Sequence, residues 1–124
     1  MLQYDKDKMF EISFARLITE YILALKKYNN TSKSIEAREK AKFEFLAAEE
    51  SLINRLEETG FKESLKKEFG TIREVKLGYL YYSPTLEVYV TNPKFIDDSD
   101  FMTEVKYKLK EIDEQFERFN IQIY

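Results

Sequence analysis

Three neighbouring aspartates form the densest group of side chains that could do chemistry. Asp97, Asp98 and Asp100 carry carboxylates, and carboxylate oxygens suit a hard cation such as Mg²⁺ or Ca²⁺. The glycine and the spacing of a calcium-binding EF-hand loop are missing. The same residues directly precede a helical pattern, where aspartate is a favoured N-cap and its charge suits the positive end of the helix. We therefore expect a helix cap and keep a metal site at these aspartates as the alternative.

The composition removes the residues that most enzymes use. The chain has no histidine and no cysteine, so it lacks the commonest general base, the commonest metal ligand and any thiolate. Its three glycines, Gly60, Gly70 and Gly78, lie too far apart for a phosphate-binding loop. We predict a protein that is not an enzyme and uses no cofactor. The absence of cysteine also suits a reducing cytoplasm, which we expect to be its location. A carboxylate-metal-dependent enzyme at residues 97–100 is the second alternative.

Aromatic residues are the most unusual part of the composition. There are nine tyrosines and ten phenylalanines among 124 residues. Tyrosine is favoured at protein interfaces because one end of its side chain is apolar and the other hydrogen-bonds to water. The alternation of the strands places several large side chains on an outward face, and Phe43 lies off the apolar stripe of its helix. The predicted interface residues are Leu80, Tyr82, Tyr89, Tyr124 and Phe43.

Aromatic strands can also stack the bases of single-stranded nucleic acids, which makes a nucleic-acid-binding module the first alternative. Arg73 and Lys76 lie close to the aromatic positions of the strands. Such modules combine stacking with a basic groove, however, and this chain has 20 basic and 23 acidic residues, a net charge of −3. The charge balance therefore favours a protein partner.

Apolar residues recur at intervals of three and four in four segments, which is the period of a helix. The first two are separated by a short polar loop, which predicts an antiparallel helical hairpin, with Ser32 or Ser34 as the N-cap of the second helix. The predicted helices are Lys6–Tyr28, Ser34–Glu58, Phe61–Phe69 and Ser99–Arg118.

The stretch Ile72–Val90 reads as two strands joined by a turn at Ser83-Pro84-Thr85, because proline cannot donate to a ladder. Alternation predicts one inward face on the first strand, and Gly78 indicates a bulge or a close approach of another backbone segment. On the second strand it predicts Leu86, Val88 and Val90 inward. The inward residues of the first strand are then Val75, Leu77, Tyr79 and Tyr81.

Asn120–Tyr124 is the third predicted strand, with Ile121 and Ile123 inward. A right-handed crossover makes it parallel to the second strand, and we expect it beside the first, which gives the strand order 3-1-2. The fold class is thus α+β, with a helical hairpin, a short helix and a β-β-α-β unit whose three-stranded sheet is mostly antiparallel. Residues 1–124 are expected to form a single domain, helical over about 6–69 and sheet-containing over about 71–124.

The first two helices carry more apolar surface than one neighbouring helix can bury, since Ile22 and Leu23 widen the apolar arc of the first. Their second neighbour is either the outer face of the sheet or the same hairpin in another subunit, and two-fold assembly is common. No apolar segment is long enough to span a membrane. We therefore expect a non-enzymatic protein–protein interaction module of adaptor, inhibitor or immunity type, acting as a homodimer in the cytoplasm.

Overall fold

The helices and strands follow one another in the predicted order. The computed structural model describes residues 6–30 and 34–124, with only the backbone in residues 6–13. Within these residues the α+β class is confirmed. The elements are α1 Lys6–Tyr28, α2 Ile35–Glu58, α3 Phe61–Glu68, β1 Ile72–Leu80, β2 Ser83–Val90, α4 Ser99–Ile112 and β3 Asn120–Ile123, with 3₁₀ turns at Pro93–Phe95 and Glu114–Arg118. The chain divides into two units, Met1–Arg55 and Leu56–Tyr124.

Helices α1 and α2 form the predicted helical pair of the first unit. The rings of Tyr21 and Tyr28 lie 5.4 and 5.3 Å from the ring of Phe45. Ser34 caps α2, because its Oγ accepts the backbone N–H of Ala37 at 3.2 Å; Ser32 lies outside the described residues. The periodic apolar residues are buried as the period requires, at Phe14, Ile18, Tyr21, Leu25, Ala41, Phe45 and Leu52.

The sheet of the second unit has the strand order β1-β2-β3, so the predicted order 3-1-2 is wrong. Strand β3 is parallel to β2, as predicted, but it pairs with β2 itself. The N–H of Val90 donates to the carbonyl of Tyr124, and the N–H of Tyr124 donates to the carbonyl of Val88, both at 2.8 Å. The physical reason is burial, since β2 has one charged residue, Glu87, and can be covered on both edges. The antiparallel β1–β2 ladder remains the longer of the two.

The predicted turn at Ser83-Pro84-Thr85 is also wrong, because all three residues belong to β2. The pair Leu80↔Ser83 closes a two-residue turn at Tyr81-Tyr82. Even-numbered residues of β2 direct their backbone groups towards β3, as the bonds of Val88 and Val90 show. Pro84 is even-numbered and precedes the first β2–β3 pair, Thr85 with Asn120. Its missing N–H therefore removes no ladder hydrogen bond.

An irregularity between Ile72 and Glu74 changes which residues of β1 point to the buried face of the sheet. Ile72 pairs with Val90 and Glu74 pairs with Tyr89, so Arg73 is the additional residue of a bulge. Both Ile72 and Val75 are consequently buried, although three positions separate them. The bulge lies at this end of β1 rather than at Gly78.

The last predicted helix, Ser99–Arg118, is shorter in the structure. Helix α4 ends at Ile112, because Asp113 adopts an extended backbone and its carboxylate accepts the N–H of Gln115 at 2.8 Å. This side chain starts a separate 3₁₀ turn that buries Phe116. The inward residues of β3 are those predicted, Ile121 and Ile123, and α4 buries Phe101, Val105 and Leu109. No helix in the described ranges is both long enough and apolar enough to cross a membrane.

The turn residue Tyr81 has a backbone φ of +56°. This conformation costs a residue with a Cβ roughly 1 kcal/mol, whereas asparagine adopts it more readily. We expect Tyr81→Asn to raise the free energy of unfolding by about 0.5–1 kcal/mol. The measurement is urea denaturation followed by circular dichroism.

Tyr82→Asn is the matched control, because Tyr82 is the other turn residue and its φ is not positive. We expect no stabilisation from this change. Equal stability of Tyr81→Asn and the unchanged protein would show that the turn stores no strain at Tyr81.

Candidate functional site

Four consecutive large side chains project at the end of the hairpin, and we call Tyr79–Tyr82 the hairpin tip. Tyr81 is 82% exposed, Tyr82 52%, Tyr79 45% and Leu80 41%. The exposure agrees with the outward positions predicted for Leu80 and Tyr82. The prediction that Tyr81 faces inward is wrong, because Tyr81 belongs to the turn. Tyr79 lies on the predicted face opposite Pro84 but at the uncovered end of the sheet.

A second aromatic group lies on the opposite face of the sheet from Leu86 and Val88. The rings of Tyr89 and Tyr124 stack with their centroids 5.3 Å apart. The Arg73 guanidinium and the Lys76 ammonium each lie 5.6 Å from the centroid of the Tyr89 ring. A cation at this distance is attracted to the face of an aromatic ring. We call these four residues, together with Glu87, the outer-face cluster.

Hydrogen bonds fix the two tyrosines of the outer-face cluster. The Tyr89 hydroxyl donates to Oε1 of Glu87 at 3.1 Å, and the Tyr124 hydroxyl donates to Oε1 of Gln122. Partial burial, followed by the hydrogen bond and the charge of Glu87, raises the pKa of Tyr89 above its ordinary value. Tyr89 is therefore half-buried and committed to internal contacts, while Tyr124 remains exposed.

The glycine at position 78 makes room for this arrangement. A Cβ built on Gly78 would lie 2.6 Å from Oε2 of Glu87 and 3.0 Å from its carboxyl carbon. A close approach does occur at Gly78, but the approaching group is the Glu87 side chain from the neighbouring strand and not the predicted backbone. The missing Cβ lets that carboxylate lie flat across β1 and reach Tyr89.

Glu74 protects the outer edge of β1. Its carboxylate accepts the backbone N–H of Val75 at 2.9 Å and lies 3.7 Å from the ammonium of Lys62. The hydrogen bond from Val75, with the charge of Lys62 as a smaller cause, lowers the pKa of Glu74 below its ordinary value. Sheet edges whose N–H groups are occupied by charged side chains do not readily add a further strand.

The helical pair carries an apolar surface of its own. Phe43 is 75% exposed, and Leu23 and Leu46 are also exposed. Beside Phe43, a cavity of about 440 Å³ opens between α1 and α2, and we call it the helical-pair groove. Small side chains of both helices form part of its wall, and charged side chains line it as well. The lining includes Ala24, Ala47, Ala48, Glu20, Lys27 and Glu44.

The three aspartates divide into a cap and two surface residues. Asp98 is the N-cap of α4, and its Oδ1 accepts the N–H groups of Asp100 and Phe101 at 3.0 and 3.1 Å. Asp97 and Asp100 are exposed. Within residues 6–30 and 34–124, no three metal-binding side chains come together. The cap interpretation of Asp98 is confirmed.

A further cavity, of about 500 Å³, opens between α4 and the beginning of β3. Its polar lining includes Lys106, Lys110 and Glu117. The ammonium of Lys110 lies 2.8 Å from the carboxylate of Glu117, and this contact raises the pKa of Lys110.

Comparison of the chain with protein-family models, with curated proteins and with solved structures finds no match. The surfaces therefore have to be interpreted from their own geometry. Four of their exposed large side chains were absent from the predicted interface, namely Tyr79, Tyr81, Leu23 and Leu46. Tyr81 was missed because the turn was predicted two residues too far along the chain.

The outer-face cluster generates a prediction about Gly78. In a Gly78→Ala variant the new methyl group displaces the Glu87 carboxylate, so Tyr89 loses its acceptor. We expect the pKa of Tyr89 to fall towards its ordinary value, although the share due to burial remains. The measurement is an NMR titration with tyrosine labelled at Cζ.

Glu87→Gln is the matched variant, because it removes the charge and keeps the glycine. Its Tyr89 pKa should fall as well. An unchanged pKa in both variants would mean that Glu87 does not contribute to the shift.

Proposed function

We propose that this chain is a non-enzymatic protein–protein interaction module, of adaptor, inhibitor or immunity type, that acts as a homodimer in the cytoplasm. The observation that carries the proposal is the position of Tyr81. A large aromatic side chain stands at positive φ in a two-residue turn and is 82% exposed.

Tyr81 lowers the stability of the fold. Its backbone conformation costs roughly 1 kcal/mol that glycine or asparagine would avoid. With most of its surface in water, the ring recovers little of this free energy by packing. Strained residues are concentrated at sites of function, where a second molecule supplies the compensating contacts.

The neighbours of Tyr81 indicate what kind of surface would receive it. Residues 79–85 contain three tyrosines and one leucine and no charged residue. Tyrosine and other aromatic anchors supply much of the binding free energy in protein interfaces when they enter well-packed pockets. The complementary surface is thus an apolar pocket with hydrogen-bond acceptors for the tyrosine hydroxyls.

The homodimer is supported by the second apolar group, on the helical pair. Phe43, Leu23 and Leu46 are exposed together, and exposed apolar patches mark association sites. Two-fold assembly is the commonest way in which a soluble chain covers such a patch.

The non-enzymatic part of the proposal is supported by the polar groups of the described residues. Asp98 is occupied as a helix cap, and Lys110 is paired with Glu117. The chain has neither histidine nor cysteine, so a catalytic site would have to work without the commonest general base and without a thiolate.

The hairpin tip is tested by capture with the purified, immobilised chain in extract of its native source. We expect the Tyr81→Asn variant to capture at least tenfold less partner than the unchanged chain, although its free energy of unfolding is higher. Tyr107→Asn is the matched control, because Tyr107 is 68% exposed on α4 and should capture the partner normally. A photo-crosslinking phenylalanine analogue at position 81 should label the same partner, and one at position 107 should not.

Equal capture by Tyr81→Asn and by the unchanged chain would contradict the proposed role of the tip. The opposite changes in stability and capture distinguish a binding role from a structural one, since a damaged fold would lower both.

A nucleic-acid-binding module is the second candidate, because Arg73 and Lys76 lie against an exposed tyrosine stack in the outer-face cluster. Against it stand the Glu87 carboxylate and the net charge of −3. Binding through phosphates weakens steeply with salt. Fluorescence anisotropy with single-stranded DNA and RNA at low salt should show no salt-sensitive binding.

Binding that salt weakens, that Lys76→Ala reduces and that Lys106→Ala leaves unchanged would favour this second candidate. Lys106 is the matched control, because it is an exposed lysine on α4 that does not belong to the outer-face cluster.

A further inference from the structure

We propose that the helical-pair groove binds Phe43 of a second copy of this chain, so that two copies exchange their phenylalanines in a two-fold dimer. The inference rests on the homodimer of the proposed function and names the surface that forms it.

Phe43 is the projecting part of the surface. It lies in the middle of α2, where the buried stripe contains Ala41, Phe45 and Leu52. Its ring points away from that stripe and is 75% exposed. One turn further along, Leu46 is exposed as well, which gives α2 a second apolar stripe. A surface helix typically has one apolar stripe, which faces the core, and Phe43 and Leu46 lie outside that stripe.

The helical-pair groove is the receiving part. It lies between α1 and α2, next to Phe43, and has a volume of about 440 Å³. Three alanines, Ala24, Ala47 and Ala48, occupy positions where larger side chains would fill it. Alanine at these positions leaves space for an aromatic ring from outside, and Leu23 at the margin adds apolar surface.

The occupant is a second copy because the surface is complementary to itself. A two-fold interface uses the same patch on both subunits, so the patch has to contain both the projection and the recess. Phe43 and the alanines of the groove satisfy this condition, since Phe43 is itself one of the lining residues.

The charges of the groove point to the same occupant. Lys27 lies on α1 and Glu44 lies on α2, on opposite walls. Exchange of the phenylalanines brings Glu44 of one copy towards Lys27 of the other, twice in the dimer. Glu20, the remaining acid of the lining, already pairs with Arg16 at 3.0 Å and does not compete. Complementary charges at the rim select the partner and the orientation.

Sedimentation velocity of the full chain over a range of concentrations tests the inference. We expect the unchanged chain to dimerise and Phe43→Asp to weaken the dimer at least tenfold, because a carboxylate would enter an apolar groove. Ala47→Phe should weaken it to a similar degree, because the new ring fills the groove and leaves Phe43 intact. Tyr107→Asp is the matched control and should remain dimeric, since Tyr107 is exposed on α4.

Disulfide formation locates the contact. The chain contains no cysteine, so single-cysteine variants report one position each. When F43C and A47C chains of different mass are mixed and mildly oxidised, we expect the disulfide between unlike chains to form faster than either disulfide between like chains.

The outcomes separate this inference from the proposed function. A dimer that neither Phe43→Asp nor Ala47→Phe weakens, or faster crosslinking between like chains, overturns the inference and leaves the homodimer standing. A strict monomer at high concentration overturns both the inference and the homodimer.

Discussion

Strand β2 pairs on both of its edges, and the arrangement of the sheet unit depends on that constraint. Its odd-numbered residues direct their backbone groups to β1, and its even-numbered residues direct them to β3. Pro84 is compatible with the strand only because it is even-numbered and lies before β3 begins. With Pro84 inside β2, the turn has to consist of Tyr81 and Tyr82. The exposure of the hairpin tip therefore follows from the register of a buried strand.

The sequence allowed the helices to be predicted well and the sheet only in part. The bounds of α1 follow from a local period, and its end is set by the polar residues after Tyr28. Strand order and turn position are not local properties, because they depend on which edge of β2 a distant strand occupies. Pro84 was assigned to the turn because it has no backbone N–H to donate. The structure shows that a proline is compatible with the strand where an N–H would point to a place that has no partner strand. The early end of α4 at Asp113 depends on one side-chain hydrogen bond.

In the candidate surfaces, too, the features set by the local sequence were predicted and those set by long-range contacts were not. Alternation correctly placed Leu80 and Tyr82 outward, and helical periodicity correctly placed Phe43 off the core stripe. Tyr89 was expected on an open face, but Tyr124, Arg73, Lys76 and Glu87 surround it. The sequence placed Tyr89 and Tyr124 on a common surface with Arg73 and Lys76 nearby, but it did not predict their contacts. Those contacts depend on strand pairing and on a glycine whose missing Cβ admits Glu87.

Because Arg73 is an additional residue in β1, the alternation of inward and outward side chains shifts by one position there. Inward positions are even-numbered before it, at Ile72, and odd-numbered after it, at Val75 and Leu77. A relative without the bulge would keep the same buried surface with its apolar residue moved by one place. An alignment scored column by column would register that change as a loss of similarity at a position where the three-dimensional structure is preserved. A one-residue insertion or deletion at Arg73 is therefore the change to look for when distant relatives of the sheet unit are aligned.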